Sequence, residues 1–190
     1  MKVQDIVWTY SGVRPLQDTS EDNATAVTRD YSIKVNREDG ALLINVFGGK
    51  ITTYRKLSES VIDEVGSFFS IKKGPWTDKA HLPGGDFALD SISELISDLL
   101  ASFPFLNFRW ATRLVKAYGS EVFAMLGSVR SEEDLGVNFG ATLTQKEVEW
   151  LIKEEFATSA EDILWRRSKL GLRLSELQVK TLQDWIASQN

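Results

Sequence analysis

A short turn between two predicted elements holds the residue types best suited to chemistry. This turn, Gly48-Gly49-Lys50-Ile51-Thr52-Thr53, is called the glycine corner below. Two glycines let the backbone bend tightly and approach a bound group, and the N–H groups that begin a helix carry partial positive charge. Lys50 adds a full charge, and Thr52 and Thr53 add hydroxyl groups. The corner therefore suits a phosphate, a carboxylate or the electron-rich edge of a cofactor ring, although an ordinary polar turn has the same pattern.

A β-hairpin followed by a helix is predicted to position this corner. The alternating residues of 28–35 predict a strand, 36–40 has the composition of a hairpin loop, and the apolar run 41–47 predicts the return strand. After the corner, apolar residues recur at the period of a helix. A further short strand is predicted over 4–10, ahead of the hairpin.

Two arginines add to the positive charge predicted around the corner. Arg14 precedes a proline, which favours an extended backbone, and Arg29 opens the first hairpin strand. Because the start of one hairpin strand lies beside the end of the other, Arg29 is expected near the corner. Arg14, Arg29 and Lys50 would then converge on a phosphate dianion. Spacing alone leaves open the alternative that each cation pairs with a nearby carboxylate such as Asp30.

Composition excludes several classes of function. A chain of 190 residues holds one or two domains, and its net charge of −5 argues against a generic nucleic-acid-binding protein. It has no cysteine and one histidine, so neither a disulfide nor a metal site is predicted. No apolar run approaches the length of a membrane span, and the first residues lack the apolar stretch of a secretory signal. The sequence thus predicts a soluble cytoplasmic protein.

A change in composition near residue 70 predicts two domains. Residues 1–70 form the first, residues 71–86, which are rich in glycine and proline, form a connector, and residues 87–190 form a helical domain. The fold class predicted is α+β, with a small, mostly antiparallel sheet and one helix followed by an all-α bundle.

Helical periodicity and capping residues define the second domain. Helices are predicted over 89–100, 105–118, 121–126, 145–157, 160–170 and about 176–188, with a loop over 127–143. The N-caps predicted are Ser120, Thr144, Ser159 and Ser175, with Glu147 and Gln178 completing capping boxes after the second and the last of these.

Aromatic and basic residues of this domain have structural explanations. Trp110, Trp150, Trp165 and Trp185 fall at apolar helix positions and are expected in the core. The basic group Arg166, Arg167, Lys169 and Arg173 has glutamate and aspartate residues within a turn or two. Pairing with those carboxylates is therefore favoured over binding to an acidic lipid surface or a partner subunit.

Five sequence blocks resemble a known family in order and spacing. They lie at 11–16, 28–31, 48–55, 82–85 and 154–167, and they resemble the C-terminal part of FAD-dependent glycerol-3-phosphate dehydrogenases of the aerobic type. The departures are small, since that family often has Met where Phe156 stands and Thr where Ser168 stands.

The resemblance implies that a larger enzyme supplies the missing parts of the site. The family begins with a dinucleotide-binding unit carrying GxGxxG, and that motif is absent from this sequence. The chain is therefore expected to be a C-terminal piece of an FAD-dependent oxidoreductase, inactive by itself and partnered by an N-terminal FAD-binding domain. Whether the intact enzyme forms a homodimer stays open.

Roles for individual residues follow from the same resemblance. Gly48, Gly49, Lys50, Ile51 and Thr52 are expected to face the flavin of FAD, where a helix start stabilises negative charge. Arg14, Arg29 and Lys50 are expected to bind glycerol 3-phosphate. No catalytic residue is assigned within this chain.

The reaction implied is oxidation of glycerol 3-phosphate to dihydroxyacetone phosphate, with electrons passing to a membrane quinone. The intact enzyme is then expected in the cytoplasm, peripheral on the inner face of the cell membrane. One alternative within the family is an oxidase that passes the electrons to oxygen. Another is a non-catalytic module whose helices bind a different protein and whose glycine corner is only a turn. An exposed apolar sheet face would favour the enzyme, and a fully covered sheet would favour the module.

Overall fold

The chain divides between Ala80 and His81 into two units. The computed structural model describes residues 2–13, 30–38, 40–70 and 74–189. The first unit contains a β-hairpin and one long helix, and the second contains several helices and a small second hairpin. The predicted mixed α+β class is confirmed. In the described ranges, no helix is both long enough and apolar enough to cross a membrane.

The predicted hairpin of the first unit is present with a tighter turn. Strand β1 (Tyr31–Glu38) pairs antiparallel with strand β2 (Ala41–Gly48), in a register that sets Tyr31 opposite Gly48 and Glu38 opposite Ala41. Much of the loop predicted over 36–40 is therefore strand. Gly40, with a φ of +78°, allows the short connection, because two-residue hairpin turns require positive φ.

Helix α1 (Tyr54–Phe69) follows β2 through the glycine corner and contacts β1. The hydroxyl groups of Tyr31 and Ser60 lie 3.2 Å apart and link strand to helix. On the other face of the hairpin, Leu43 and Phe47 are 55% and 42% exposed. Among the described residues of this unit, no apolar side chain is buried.

The strand predicted over 4–10 is wrong. Val3–Asp5 forms a short 3₁₀ turn, which the Asp5 carboxylate closes by accepting a hydrogen bond from the Lys2 backbone N–H at 2.6 Å. In the part of the chain that the structure describes, residues 6–13 pair with no strand.

The second unit follows the predicted order of helices, with shifted ends. Its helices are α2 (Ile92–Ser102), α3 (Phe108–Tyr118), α4 (Glu121–Leu126), α5 (Gln145–Glu155) and α6 (Glu176–Ala187). Leu89 was predicted on the apolar face of α2 but lies before the helix and is exposed.

One continuous hydrophobic core holds these helices together. Its most deeply buried members include Leu99, Ala111, Val122, Leu143, Val148, Ile163 and Leu182. Trp110 lies within the core, and Trp150, Trp165 and Trp185 pack against it as predicted.

The region predicted as a loop over 127–143 contains regular structure. A 3₁₀ turn (Glu133–Leu135) leads into a second hairpin, in which strand β3 (Asn138–Gly140) pairs with strand β4 (Leu143–Thr144). Phe139 and Leu143 are buried, so this hairpin contributes to the core of an otherwise helical unit. Its strands are too short for their alternation to be visible in the sequence.

The helix predicted over 160–170 is interrupted. Ser159 caps its start as predicted, since the Ser159 hydroxyl accepts a hydrogen bond from the backbone N–H of Asp162 at 3.2 Å. A π-helical segment (Asp162–Arg167) follows, and a 3₁₀ turn (Leu170–Leu172) ends it. The ring of Trp165 lies so close to Gly171 that a Cβ there would come within 2.5 Å of it.

Candidate functional site at the glycine corner

The backbone of the glycine corner adopts conformations that favour glycine. Gly48 and Gly49 have φ values of +72° and +95°. A Cβ at Gly49 would meet the Cβ of Tyr31 at 3.4 Å, so the start of β1 lies directly beside the turn. The corner continues as a 3₁₀ turn (Ile51–Thr53) before α1 begins. The predicted order of a strand, a tight turn and a helix is therefore present.

Local hydrogen bonds hold the corner in this shape. The Thr53 hydroxyl donates to the Lys50 carbonyl at 2.9 Å and accepts from the Lys50 backbone N–H at 3.3 Å. The Thr53 hydroxyl is thus used to close the turn, and Thr53 makes no side-chain cap on α1. Lys50, Ile51 and Thr52 are exposed.

Lys50 brings a positive charge to this exposed helix start. Within the described ranges, no carboxylate lies within ion-pair distance of its ammonium group. The beginning of a helix leaves backbone N–H groups without partners inside the helix, and these favour an anion. The corner can therefore accept an anionic or electron-rich group from solvent.

The other two cations predicted at this site, Arg14 and Arg29, lie outside the described residues. The register sets Tyr31, two residues after Arg29, opposite Gly48. The convergence of Arg14, Arg29 and Lys50 stays a prediction.

A second polar group lies farther along the first unit, between α1 and the segment 74–77. Glu59 pairs with Arg55 at 3.0 Å and Lys56 at 3.1 Å, and it accepts a hydrogen bond from the Thr77 hydroxyl. The Thr77 hydrogen bond, followed by the lysine contact, lowers the pKa of Glu59. This group fixes the segment 74–77 against the helix.

A buried ion pair in the second unit was not predicted. Arg113 on α3 donates to both carboxylate oxygens of Glu147 at 2.7 Å, and the Tyr118 hydroxyl donates to the same carboxylate at 2.7 Å. Arg113 also donates to the hydroxyl and the carbonyl oxygen of Thr142, both at 2.8 Å. The network ties α3, α5 and the second hairpin together.

Electrostatics of this network support a structural role. Glu147 is 2% exposed. Burial, reinforced by the charge of Glu147, raises the pKa of Tyr118, so this hydroxyl stays protonated and remains a donor. Burial alone would lower the pKa of Arg113, but its hydrogen bonds to Glu147 outweigh that effect and raise it.

The capping box predicted for Thr144 and Glu147 is consequently wrong, because the Glu147 carboxylate is engaged by Arg113 and Tyr118. The Ser120 cap is wrong for a similar reason, since the Ser120 hydroxyl donates to Asp86. Arg113 lies between the buried positions 110, 111, 114 and 115. An arginine on this buried face of α3 was the one sign in the sequence that a carboxylate would be buried opposite it.

Of the basic residues near the π-helical segment, Arg166 pairs with carboxylates as favoured above. Arg166 pairs with Glu161 at 2.9 Å and Asp162 at 3.0 Å, and Arg167 donates to the Glu155 carbonyl at 2.8 Å. In the residues that the structure describes, no cluster of three or more histidine or acidic side chains could hold a metal ion.

Comparison with known proteins assigns the chain to a family. Residues 75–187 match the model of the C-terminal domain of alpha-glycerophosphate oxidase. The chain belongs to this family. The matched residues lie almost entirely in the helical unit, and the glycine corner precedes them.

Individual curated relatives match the first unit of the chain as well as the helical domain that the family model covers. Glycerol-3-phosphate dehydrogenase of Pseudomonas aeruginosa is 43% identical over 98% of the chain, and aerobic glycerol-3-phosphate dehydrogenase of Escherichia coli is 39% identical over 96%. D-erythritol 1-phosphate dehydrogenase of Brucella abortus is 35% identical over the whole chain. The chain spans only 36% to 38% of the lengths of these relatives. The resemblance inferred from the five sequence blocks is confirmed.

Proposed function

We propose that this chain is the C-terminal part of an FAD-dependent dehydrogenase that oxidises glycerol 3-phosphate to dihydroxyacetone phosphate. The glycine corner is the observation that carries this proposal. It presents a helix start and the Lys50 ammonium to solvent, and the match to relatives named glycerol-3-phosphate dehydrogenase covers 96% to 98% of the chain. The piece alone is expected to be inactive, since the relatives are much longer.

The residues at the corner fit an electron-rich cofactor edge. The positive φ values of Gly48 and Gly49 turn the chain without side chains in the way, and Ile51 and Thr52 begin the helical turn that follows. In the proposed enzyme these residues and Lys50 would hold FAD, which would accept the hydride when bound. The helix start stabilises negative charge by an electrostatic effect that needs no rearrangement.

Substrate binding is assigned to the three predicted cations. Arg14 and Arg29 bind the phosphate group, because a guanidinium pairs with two of its oxygens at once. Lys50, beside the glycines, contacts a substrate oxygen or the flavin edge. The catalytic base is assigned to the N-terminal part of the intact enzyme.

The exposed hairpin supports the proposal that an N-terminal FAD-binding domain covers it in the intact enzyme. A two-stranded sheet is marginally stable by itself, and the apolar residues Leu43 and Phe47 lie open to solvent. This exposure favours the enzyme over the alternative of a self-standing interaction module, for which a covered sheet is expected. In the intact enzyme we assign residues 1–70 to the FAD and substrate domain, 71–86 to a connector and 87–190 to a helical domain.

Electrons are proposed to pass to a membrane quinone, with the enzyme peripheral on the inner membrane face. The large apolar side chains exposed on the first unit include Ile62, Phe69 and Trp76, and Trp76 is 64% exposed. Aromatic and aliphatic side chains of this kind enter the interfacial region of a bilayer.

Two alternatives keep specific support. The relative named D-erythritol 1-phosphate dehydrogenase makes a longer polyol phosphate a second candidate substrate. The family description names an oxidase, so oxygen is a second candidate acceptor. Both alternatives keep the phosphate-binding role of Arg14 and Arg29 and the contact of Lys50 with substrate or flavin.

Anaerobic flavin bleaching in the full-length enzyme tests the proposal. Addition of glycerol 3-phosphate is expected to bleach the flavin absorbance, and Lys50→Ala or Arg14→Ala should slow bleaching about 100-fold while FAD remains bound. Lys56→Ala is the matched control, because Lys56 lies on α1 and pairs with Glu59.

Bleaching that is unchanged in both Lys50→Ala and Arg14→Ala would contradict the site assignment. Faster bleaching by D-erythritol 1-phosphate than by glycerol 3-phosphate would identify the longer polyol phosphate as substrate. Oxygen or a quinone analogue is then added to the reduced enzyme, and the compound that restores the flavin absorbance faster is identified as the acceptor.

A further inference from the structure

A cleft of roughly 760 Å³ lies in the second unit, lined by residues between Leu82 and Glu155. The segment 82–87 forms one wall, and the ends of α3 and α5 form the other. Its apolar lining includes Phe87, Ile92 and Val115. A groove of this size admits several side chains at once.

The wall formed by the segment 82–87 is held firmly. The Gly84 carbonyl accepts a hydrogen bond from the Ser120 backbone N–H at 3.1 Å. A Cβ at either Gly84 or Gly119 would collide with the backbone of the facing segment. The cleft is therefore built into the fold by direct contact between two backbones.

Charge in the cleft is predominantly negative. Glu121, Glu154 and Glu155 line it, against the single lysine Lys116. Lys153 pairs with Glu154 at 2.7 Å on the exposed side of α5. The balance of charge on the lining favours an occupant that carries a positive group.

The Glu155 carboxylate is only partly compensated by a neighbouring cation. Its nearest cation in the described ranges is Arg167, whose Nε lies 3.7 Å from the carboxylate, beyond hydrogen-bond distance. Arg167 instead donates to the Glu155 backbone carbonyl at 3.1 Å and 2.8 Å. Burial raises the pKa of Glu155, and the charge of Arg167 opposes this only in part.

Two exposed apolar side chains lie beside these carboxylates. Leu82, on the lining of the cleft, is 63% exposed. Phe156, directly after Glu155, is 81% exposed and has a φ of +57°. A bulky residue in this left-handed conformation is disfavoured, so the chain presents the aromatic ring to solvent at a conformational cost.

We propose that this cleft binds a segment of the longer protein in which a basic side chain adjoins an apolar one. The basic group pairs with Glu155 and Glu154, and the apolar group packs on Phe87 and Ile92. The inference rests on the proposed function, in that the chain is taken as part of a longer enzyme. Relatives carry nearly two thirds of their length outside the matched region, and a tethered segment reaches millimolar effective concentration.

Photo-crosslinking in the full-length enzyme tests this proposal. Benzoylphenylalanine replaces Leu82, and the irradiated enzyme is digested and analysed by mass spectrometry. Crosslinks are expected to a peptide that precedes the residues of this chain and contains arginine or lysine. Glu154→Lys should reduce their yield about tenfold, because like charges across an interface repel.

Two controls separate the cleft from the rest of the surface. Glu149→Lys makes the same charge change on an exposed position of α5 outside the cleft lining, and the yield should not change. Benzoylphenylalanine at Phe108, which is exposed outside the lining, should not give the same crosslink.

Three results would overturn the proposal. They are crosslinks that join two copies of the protein, crosslinks that fall only within this chain, and an absence of crosslinks from position 82. Anaerobic bleaching by glycerol 3-phosphate is measured on the same samples. An enzyme that bleaches normally without the expected crosslink retains the proposed function and refutes only the proposed docking.

Discussion

The two units of the chain differ in how they bury apolar residues. In the part of the chain that the structure describes, every buried apolar side chain belongs to the second unit. The first unit, with a hairpin and a helix of comparable regularity, leaves Leu43, Phe47 and Ile51 substantially exposed. Regular secondary structure is therefore present in both units, but a closed core is present in one.

The sequences of the two units therefore specify different things: a self-contained core in one and part of a binding site in the other. The second unit has the helices and short loops that make a self-contained core of about a hundred residues. The first unit has the pieces of a binding site, a tight corner and a helix start, on a sheet of only two strands. A sheet of that size needs more strands or a covering layer for independent stability.

Separate expression of the two units should give the largest contrast. Residues 81–190 alone are expected to unfold cooperatively on heating, since they contain the whole buried core. Residues 1–80 alone should show no cooperative transition. Circular dichroism during a thermal ramp measures both. A cooperative transition in residues 1–80 would contradict the conclusion that only the second unit has a closed core.

The buried ion pair should show the next largest effect. Glu147→Gln removes the carboxylate that accepts from Arg113 and Tyr118, and breaking such a pair costs about 3–5 kcal/mol in the free energy of unfolding. Glu59→Gln in the first unit removes a carboxylate paired with Arg55 and should change stability little. Urea unfolding of both variants in the full chain makes the measurement. Equal losses would contradict the difference between the units.

Acid should produce a smaller effect at Asp162. Hydrogen bonds from the backbone N–H of Thr158 and from Ser159 lower the pKa of Asp162 from 3.8 to about 2, although burial opposes the shift. Because the folded pKa is the lower one, this stabilisation is present above pH 3.8 and is lost as pH falls towards 2. Asp162→Asn should therefore lower Tm at pH 7 and make little difference near pH 2.

The control for this experiment is Asp184→Asn on α6. Asp184 is exposed and pairs with Lys180 at 2.7 Å, so the variant should differ little from the parent protein. A Tm difference for Asp162→Asn that stays constant from pH 7 to pH 2 would refute the role of its carboxylate.

Features set by neighbours along the chain could be predicted from the sequence. The glycine corner, the hairpin order and the Ser175–Gln178 capping box depend on residues a few positions apart, and all are present. The resemblance to the family also came from local blocks. The two arginines of the predicted site, Arg14 and Arg29, lie outside the described residues, so their convergence stays a prediction.

Features set by distant partners could not be predicted in the same way. Glu147 satisfies the local rule for a capping box, but Arg113, 34 positions away, engages its carboxylate instead. The strand predicted over 4–10 has the right alternation but no partner in the described residues. The π-helical segment likewise depends on packing, because nothing in the local pattern distinguishes it from an α-helix.

The contact between Trp165 and Gly171 has a genetic consequence. Any side chain at position 171 would strike the indole ring, so Gly171→Ala should behave as a loss-of-stability allele. A smaller residue at position 165 leaves space for that methyl group. Trp165→Leu is therefore the change to seek among second-site suppressors of Gly171→Ala, and the two positions are expected to vary together in evolution.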